Sequence, residues 1–148
     1  LGGSVYYDLN NELGANIPKP DLEEVKNQIY AITDCIDKSL ILSCHDISDG
    51  GIAIALTEMT FCNSLGFEVH IVGDQRPEVL LFTETGGFLL EVRSNRLKEV
   101  KDFLSSFSIN FSEIGYVTSE KIININNLIE LPIMAAKNAW ENGLRTKL

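Results

Sequence analysis

With 148 residues, 45% of them hydrophobic and 22% charged, the chain has the balance of one globular domain that buries a core without disulfides or a structural metal. The net charge of −9, from 21 acidic against 12 basic residues with no basic block, excludes a duplex-binding surface, so nucleic acid is set aside as a partner. No apolar run approaches a membrane span, and so few Lys and Arg leave any phosphate to backbone N–H groups and a divalent cation.

The chain opens on Leu1 rather than Met, with no charged-then-apolar leader, and reads as a piece cut from a longer polypeptide. Gly2-Gly3-Ser4, Val5-Tyr6-Tyr7 and the turn-rich stretch 10–20 are expected to form a leader, residues 1–20, packed on a domain that occupies 21–148. From Asp21 the spacing predicts a helix whose inward stripe is Leu22, Val25, Ile29, Ile32 and Ile36. Leu40-Ile41-Leu42 reads as a short strand, and a polar turn then feeds a helix over 52–62, with Gly66 as its stop. Phe67-Glu68-Val69-His70-Ile71 alternates as a strand with Glu68 and His70 on one face, His70 being read as a solvated or hydrogen-bonded strand histidine rather than a ligand.

Residues 73–77 form a loop, and 79–83 fit either a short helix or a strand. A strand over 87–92 and a helix over 95–106 follow, the helix turning Leu97, Val100, Phe103 and Leu104 inward. Strands over 112–118 and 121–126 are expected to pair as a hairpin through Ser119-Glu120. Pro132 opens a last helix that ends near Trp140 and Gly143. The order predicts an α+β domain, a three-layer α/β/α arrangement with a mixed sheet. The cysteines are read as free thiols in a reducing cytoplasm, with Cys35 and Cys62 buried on helices. Tyr6-Tyr7 and Trp140 are expected to pack against the fold rather than stack on a base.

The polar turn His45-Asp46-Ile47-Ser48-Asp49-Gly50-Gly51 carries the densest chemistry. A strand ending in a glycine-rich turn that feeds a helix aims free N–H groups at one point, which suits an anion, and adjacent carboxylates suit the cation that accompanies a nucleotide. Helix capping by Ser48 or Asp49 competes with that reading, with the glycines serving a tight turn. Capping accounts for one polar residue and one glycine but not for His45 and Asp46 as well, and both readings stand. A second polar break, Thr83-Glu84-Thr85-Gly86-Gly87, is either a ligand wall or a loop closing two core elements. No P-loop, dinucleotide fingerprint or catalytic triad is present.

Taken in order, Leu1-Gly2-Gly3-Ser4-Val5-Tyr6-Tyr7, the stretch from Ser43-Cys44-His45-Asp46 through Gly50-Gly51 to Glu58-Met59, Leu81-Phe82-Thr83-Glu84-Thr85 and the closing Ala139-Trp140-Glu141 resemble one known domain. It is the C-terminal AIR-synthase-type domain in the second half of the synthetase subunit of the phosphoribosylformylglycinamidine synthase family. Aminoimidazole ribonucleotide synthetases look different at the polar turn, with H-I-T-G-G, and thiamine-monophosphate kinases share D-I-S-D-G but not the rest.

The resemblance implies an AIR synthase C-terminal domain-like fold in a cytoplasmic, ATP-dependent ligase of purine biosynthesis. That enzyme converts formylglycinamide ribonucleotide to the amidine with ammonia from glutamine, activating the formamide oxygen by phosphorylation before ammonia displaces phosphate. It further implies ATP or ADP and Mg²⁺ as cofactors, with Asp46 coordinating Mg²⁺, Ser48 touching a nucleotide phosphate, and Asp49, Gly50 and Gly51 shaping the turn. Gly3, Ser4, His45, Glu84 and Thr85 fall at a substrate or interdomain surface, and the catalytic residues lie in domains absent from this chain, which alone is inactive. The implied partners are the remaining domains of the same synthetase chain, a glutaminase subunit and a small accessory subunit. A dimer of the isolated piece through its docking face is a further expectation.

Glu84-Thr85-Gly86-Gly87-Phe88 departs from the family's E-S-x-x-R-F, one residue shorter and without the arginine. That loss of a natural phosphate partner favours a structural or allosteric role for this half. The rival readings are a non-catalytic scaffold that docks on a partner domain, and a domain of a thiamine-monophosphate-kinase-like small-molecule kinase.

Overall fold

The computed structural model describes residues 1–143, so the last five positions of the expected 21–148 unit lie outside the described residues. The elements run α1 (Val5–Leu9), α2 (Leu22–Asp37), β1 (Ser43–Asp46), α3 (Gly51–Met59), β2 (Gly66–Val69), α4 (Pro77–Phe82) and β3 (Phe88–Glu91). A short 3-10 turn (Ser94–Arg96) leads into α5 (Leu97–Ser105), followed by β4 (Gly115–Thr118), β5 (Ile122–Ile125), β6 (Ile129–Pro132) and α6 (Ile133–Asn142). The expected α+β class with a mixed sheet holds, but the strands divide into two sheets. β1 and β3 form an antiparallel ribbon, and β4-β2-β5-β6 form a second sheet in which only the β2–β5 pair is parallel.

Two apolar clusters fix the layers. Leu90 of the ribbon packs toward Ala31 and Cys35 of α2, Leu40, and Val100 and Leu104 of α5. Leu89, its neighbour and therefore on the opposite face of the strand, belongs to the main core. There Ala53, Ala55 and Leu56 of α3, Leu81 of α4 and Ile133 of α6 meet Phe67, Val69, Ile123 and Ile125 of the larger sheet. The other face of that sheet carries the row Tyr116, Glu68, Asn124 and Glu130, one residue from each strand in register, and is polar.

Helix α2 begins where Asp21 accepts hydrogen bonds from the N–H groups of Glu23 (2.9 Å) and Glu24 (3.2 Å), with both acids in the first turn suiting the helix dipole. Its inward face differs from the expected stripe. Of Leu22, Val25, Ile29, Ile32 and Ile36 only Ile32 is buried, and Leu22 is 76% exposed. The core side is centred on Ala31 and Cys35, roughly a quarter turn around the helix. There Ala31 and Cys35 share an apolar cluster with Leu40 and with Val100 and Leu104 of α5. Cys35 is buried as expected, whereas Cys62 lies past the end of α3 and is exposed, as is Cys44.

The expected β4–β5 hairpin does not form. β2 lies between those strands, pairing antiparallel with β4 and parallel with β5, so residues 119–121 must span two strand spacings, about 9.5 Å. The link passes directly over Gly66, where a Cβ would stand 2.1 Å from the Glu120 carbonyl oxygen and 2.2 Å from that of Ile122. Gly66 is therefore the first residue of β2 and a crossing point, not the stop of α3, which ends at Met59. Of the ambiguous segment at 79–83, residues 79–82 fall in α4, with Pro77 in its first turn, and Thr83 follows the helix in extended backbone.

The true hairpin joins β5 to β6, a strand that periodicity alone missed. Asn126 and Asn127 both sit in the left-handed region, at φ 55° and 53°, and Leu128 N–H closes the turn on Ile125 O at 2.9 Å. Two positive φ values in succession match the right-handed twist of paired strands, and Asn tolerates them better than other non-glycine residues. Asn126 also extends the sheet beyond β2: its Oδ1 accepts from Ile71 N–H (2.7 Å) and its Nδ2 donates to Ile71 O (2.9 Å).

Two outcomes follow for urea unfolding. Gly66→Ala is expected to destabilise by about 1–3 kcal/mol, because β2 and the crossing link must separate to admit a methyl group. Asn126→Ala is expected to cost about 2 kcal/mol, from two lost hydrogen bonds of about 1 kcal/mol each. A wild-type midpoint for either variant contradicts the role given to that residue.

Candidate functional site

Strand β1 delivers His45 and Asp46 to the rim of the fold and ends where the chain must reverse into α3. The reversal uses Gly50 (φ 78°) and Gly51 (φ 68°), with Gly51 N–H donating to Ser48 O at 3.0 Å. A side chain at Gly50 would strike Ile54, and one at Gly51 would stand 2.8 Å from the main chain of Leu81 and Phe82. The glycine pair thus serves two needs, a left-handed backbone and the close seating of α3 on α4.

The helix start has no side-chain cap of its own, so neither Ser48 nor Asp49 takes the capping role open to it in the sequence. Both remain exposed. The N–H of Gly50 is met instead by Glu84, whose Oε1 accepts it at 2.8 Å. The same oxygen accepts the N–H of Val5, at the first position of α1, at 2.9 Å. Ile47 N–H donates to Gly87 O at 2.9 Å. The 84–87 loop therefore holds the turn at both ends and leaves Ser48 and Asp49 standing outward between the two anchors.

Asp46 is not consumed by the fold. Its carboxylate is 66% exposed, and the ionisable group beside it is His45, with Nδ1 to Oδ1 at 3.7 Å. His45 turns the other way. Its Nδ1–H donates to the Asp46 carbonyl at 2.6 Å, and Nε2 lies 3.4 Å from Glu58, which also accepts Trp140 Nε1–H at 2.9 Å. Glu58 thus ties α3 to α6 through Trp140, with the imidazole of His45, on β1, beside it. Trp140 packs against Phe61 with ring centroids 5.6 Å apart, and Tyr6 stacks on Phe82 at 4.9 Å, as expected for packing aromatics.

Asp46, Glu84 and Thr85 share one cavity of about 460 Å³, bounded by Gly86 and Gly87 on one side and by Pro18, Pro20, Val25 and Gln28 on the other. Ser48, Asp49, Gly50 and Gly51 do not line it. Ser4 is buried, and its Oγ accepts Tyr7 N–H at 3.3 Å to cap α1, while Gly3 N–H donates to Leu13 O at 2.8 Å. These two residues hold the entry segment and do not face the cavity.

Gln28 is a wall residue that the sequence reading missed, since a polar residue on a helix gives no signal of a site. A larger cavity of about 670 Å³ lies between the ribbon and β4, with Leu42, Leu56, Leu90 and Val117 among its walls, and holds none of His45, Asp46, Ser48, Glu84 or Thr85. Among the described residues no group of three or more His, Cys, Asp or Glu is placed to hold a metal ion.

A family model described as AIR synthase related protein, C-terminal domain, matches residues 2–126. The phosphoribosylformylglycinamidine synthase subunit PurL of Methanothrix thermoacetophila is 34% identical over 151 residues, covering 98% of this chain and 20% of that protein. The chain thus spans about a fifth of the length of the curated relatives it matches. In fold it is similar to Thermotoga maritima PurL complexed with ATP, with a TM-score of 0.69 and 18% identity over 78% of this chain and 22% of that one. PurLQS from the same organism gives 0.69 and 18% identity over 84% of this chain and 23% of that one. With a match across most of its length, including the turn, the 84–87 loop and the sheet that carries them, the chain belongs to the family of AIR synthase related proteins, as their C-terminal domain.

Proposed function

We propose that this domain serves a phosphoribosylformylglycinamidine synthase, an ATP-dependent ligase of purine biosynthesis, and contributes a nucleotide contact at Asp46 and Ser48 together with an interdomain surface. The reaction joins ammonia, released from glutamine, to formylglycinamide ribonucleotide at the expense of ATP. Family membership and the names of the relatives support the activity, and the ATP complex of Thermotoga maritima PurL supports a nucleotide.

The observation that carries the local reading is the exposed Asp46 carboxylate at the end of a strand, beside a turn whose Ser48 and Asp49 are exposed as well. One carboxylate does not make a metal site by itself. Mg²⁺, however, commonly keeps several waters and takes one or two carboxylates plus substrate phosphates, so Asp46 fits an ion already carried by a polyphosphate. When bound, such an ion screens phosphate charge. Asp46 would hold it, Ser48 would donate its hydroxyl to a phosphate oxygen, and no residue of this chain is assigned a bond-making step.

Residues 1–20 act as a leader belonging to the same unit, supported by the Val5–Glu84 bond and the Tyr6–Phe82 stack. The partners are the other domains of the synthetase, a glutaminase subunit and a small accessory subunit, for which the Thermotoga PurLQS structure is the support. The compartment is the cytoplasm, and among the described residues no helix is long and apolar enough to cross a membrane.

One observation favours a scaffold instead. The Gly50 N–H, which an anion would use, is already held by Glu84.

Titration of the complete gene product with Mg-ADP separates these readings. Asp46→Ala is expected to weaken one site at least tenfold, about 1.4 kcal/mol, with unfolding changed by no more than about 0.5 kcal/mol because the side chain is exposed. Unchanged affinity at every site supports the scaffold. Turnover with formylglycinamide ribonucleotide distinguishes the ligase from a kinase of the thiamine-phosphate type.

A further inference from the structure

We infer that Glu84 is a positioning residue, which sets the stance of the Asp46–Ser48 turn by tying it to the start of α1. The inference rests on the reading of that turn as a nucleotide contact. One oxygen of Glu84 accepts two main-chain N–H groups from distant parts of the chain, Gly50 at 2.8 Å and Val5 at 2.9 Å. A helix cap alone would need only the first.

The bond to Gly50 acts on the turn because the other end is also fixed. Ile47 is bound to Gly87 O, and the glycine at position 50 is the pivot of the reversal, at φ 78°. Between Ile47 and Gly50 the only freedom left belongs to Ser48 and Asp49, and Asp46 stands immediately before the first anchor. Hydrogen bonds from N–H groups to a carboxylate are shorter and stronger than neutral ones, so the charge of Glu84 stiffens both connections.

The bond to Val5 carries the constraint further. Val5 begins α1, and the next residue, Tyr6, stacks on Phe82 at the end of α4, two residues before Glu84. The entry segment, the end of α4 and the turn therefore meet on one carboxylate. A shift of the entry segment moves Glu84, and through Gly50 moves the residues offered to a ligand.

Val5 offers a clean probe. It occupies the first helical position, where proline is well accepted because the N–H has no partner within the helix, so Val5→Pro deletes one bond to Glu84 and little else. In the complete gene product, Glu84→Ala is expected to weaken Mg-ADP binding about tenfold or more, and Glu84→Gln, which keeps an acceptor oxygen, to recover most of that loss. Val5→Pro is expected to weaken binding about fivefold, from one hydrogen bond, while the unfolding midpoint stays within about 2 °C of wild type.

A lower midpoint with wild-type affinity in Glu84→Ala, together with wild-type affinity in Val5→Pro, overturns the inference and leaves Glu84 a structural cap. Should Glu84→Ala fail to fold, Val5→Pro decides it: weakened binding upholds the inference and wild-type affinity overturns it. Asp46→Ala, measured in parallel, marks the other failure. If it binds as wild type, the nucleotide reading itself falls, whereas weakened binding there with unaffected Glu84 and Val5 variants rejects the positioning role alone.

Discussion

The seating of α3 governs the molecule. This short helix lies against α4, meets the buried face of the larger sheet and follows directly from β1, so its position sets where the ribbon stands relative to the sheet. Close seating is possible because its buried side is built from Gly51, Ala53 and Ala55, with Leu56 as the one large residue. Burying that apolar surface supplies a driving force, and the small residues convert it into contact at main-chain distance. The polar turn is the consequence. A helix brought this close to α4 must be entered through residues without side chains, and the residues just before them are left at the rim.

That geometry explains how one loop can serve both packing and ligand contact. The N–H groups at the head of α3 need an acceptor, and the 84–87 loop supplies one from a carboxylate rather than from solvent. Sharing that acceptor with α1 removes a second unmet donor. With the N–H groups of Ile47, Gly50 and Gly51 met within the chain, the exposed side chains of Asp46, Ser48 and Asp49 are left to bind something else at no cost to those bonds.

How much of this was legible in the sequence depended on the range of each interaction. The α5 helix, the 87–92 strand and the polar turn follow from local spacing and glycine chemistry, and they stand where that spacing puts them to within a few residues. The family resemblance was equally legible, because its motifs are residue identities in order. What failed was set by partners far along the chain. Gly66 is a good helix stop on local grounds, yet its role is fixed by a link that arrives at residues 119–121. The stripe on α2 differs because Ala31 and Cys35 look weak beside isoleucine until Leu40, Val100 and Leu104 are known to cluster with them. Asn126-Asn127 did carry a hairpin signal, and reading it would have found β6. Glu84 was visible as a candidate, but no pattern could tell that its carboxylate faces two main-chain donors within the same chain.

The interleaved order of the larger sheet has a bearing on how the chain is made. Its central strand is synthesised early, yet Phe67 must wait for Ile123 and Val117 before either edge is covered. No adjacent hairpin can protect it meanwhile, and long-range pairings of this kind delay folding. On the ribosome, Phe67 and Val69 would emerge well before their partners, leaving an apolar edge uncovered until the final third of the chain has been translated. The larger sheet therefore closes only when β4 and β5 are available, around a strand that precedes both.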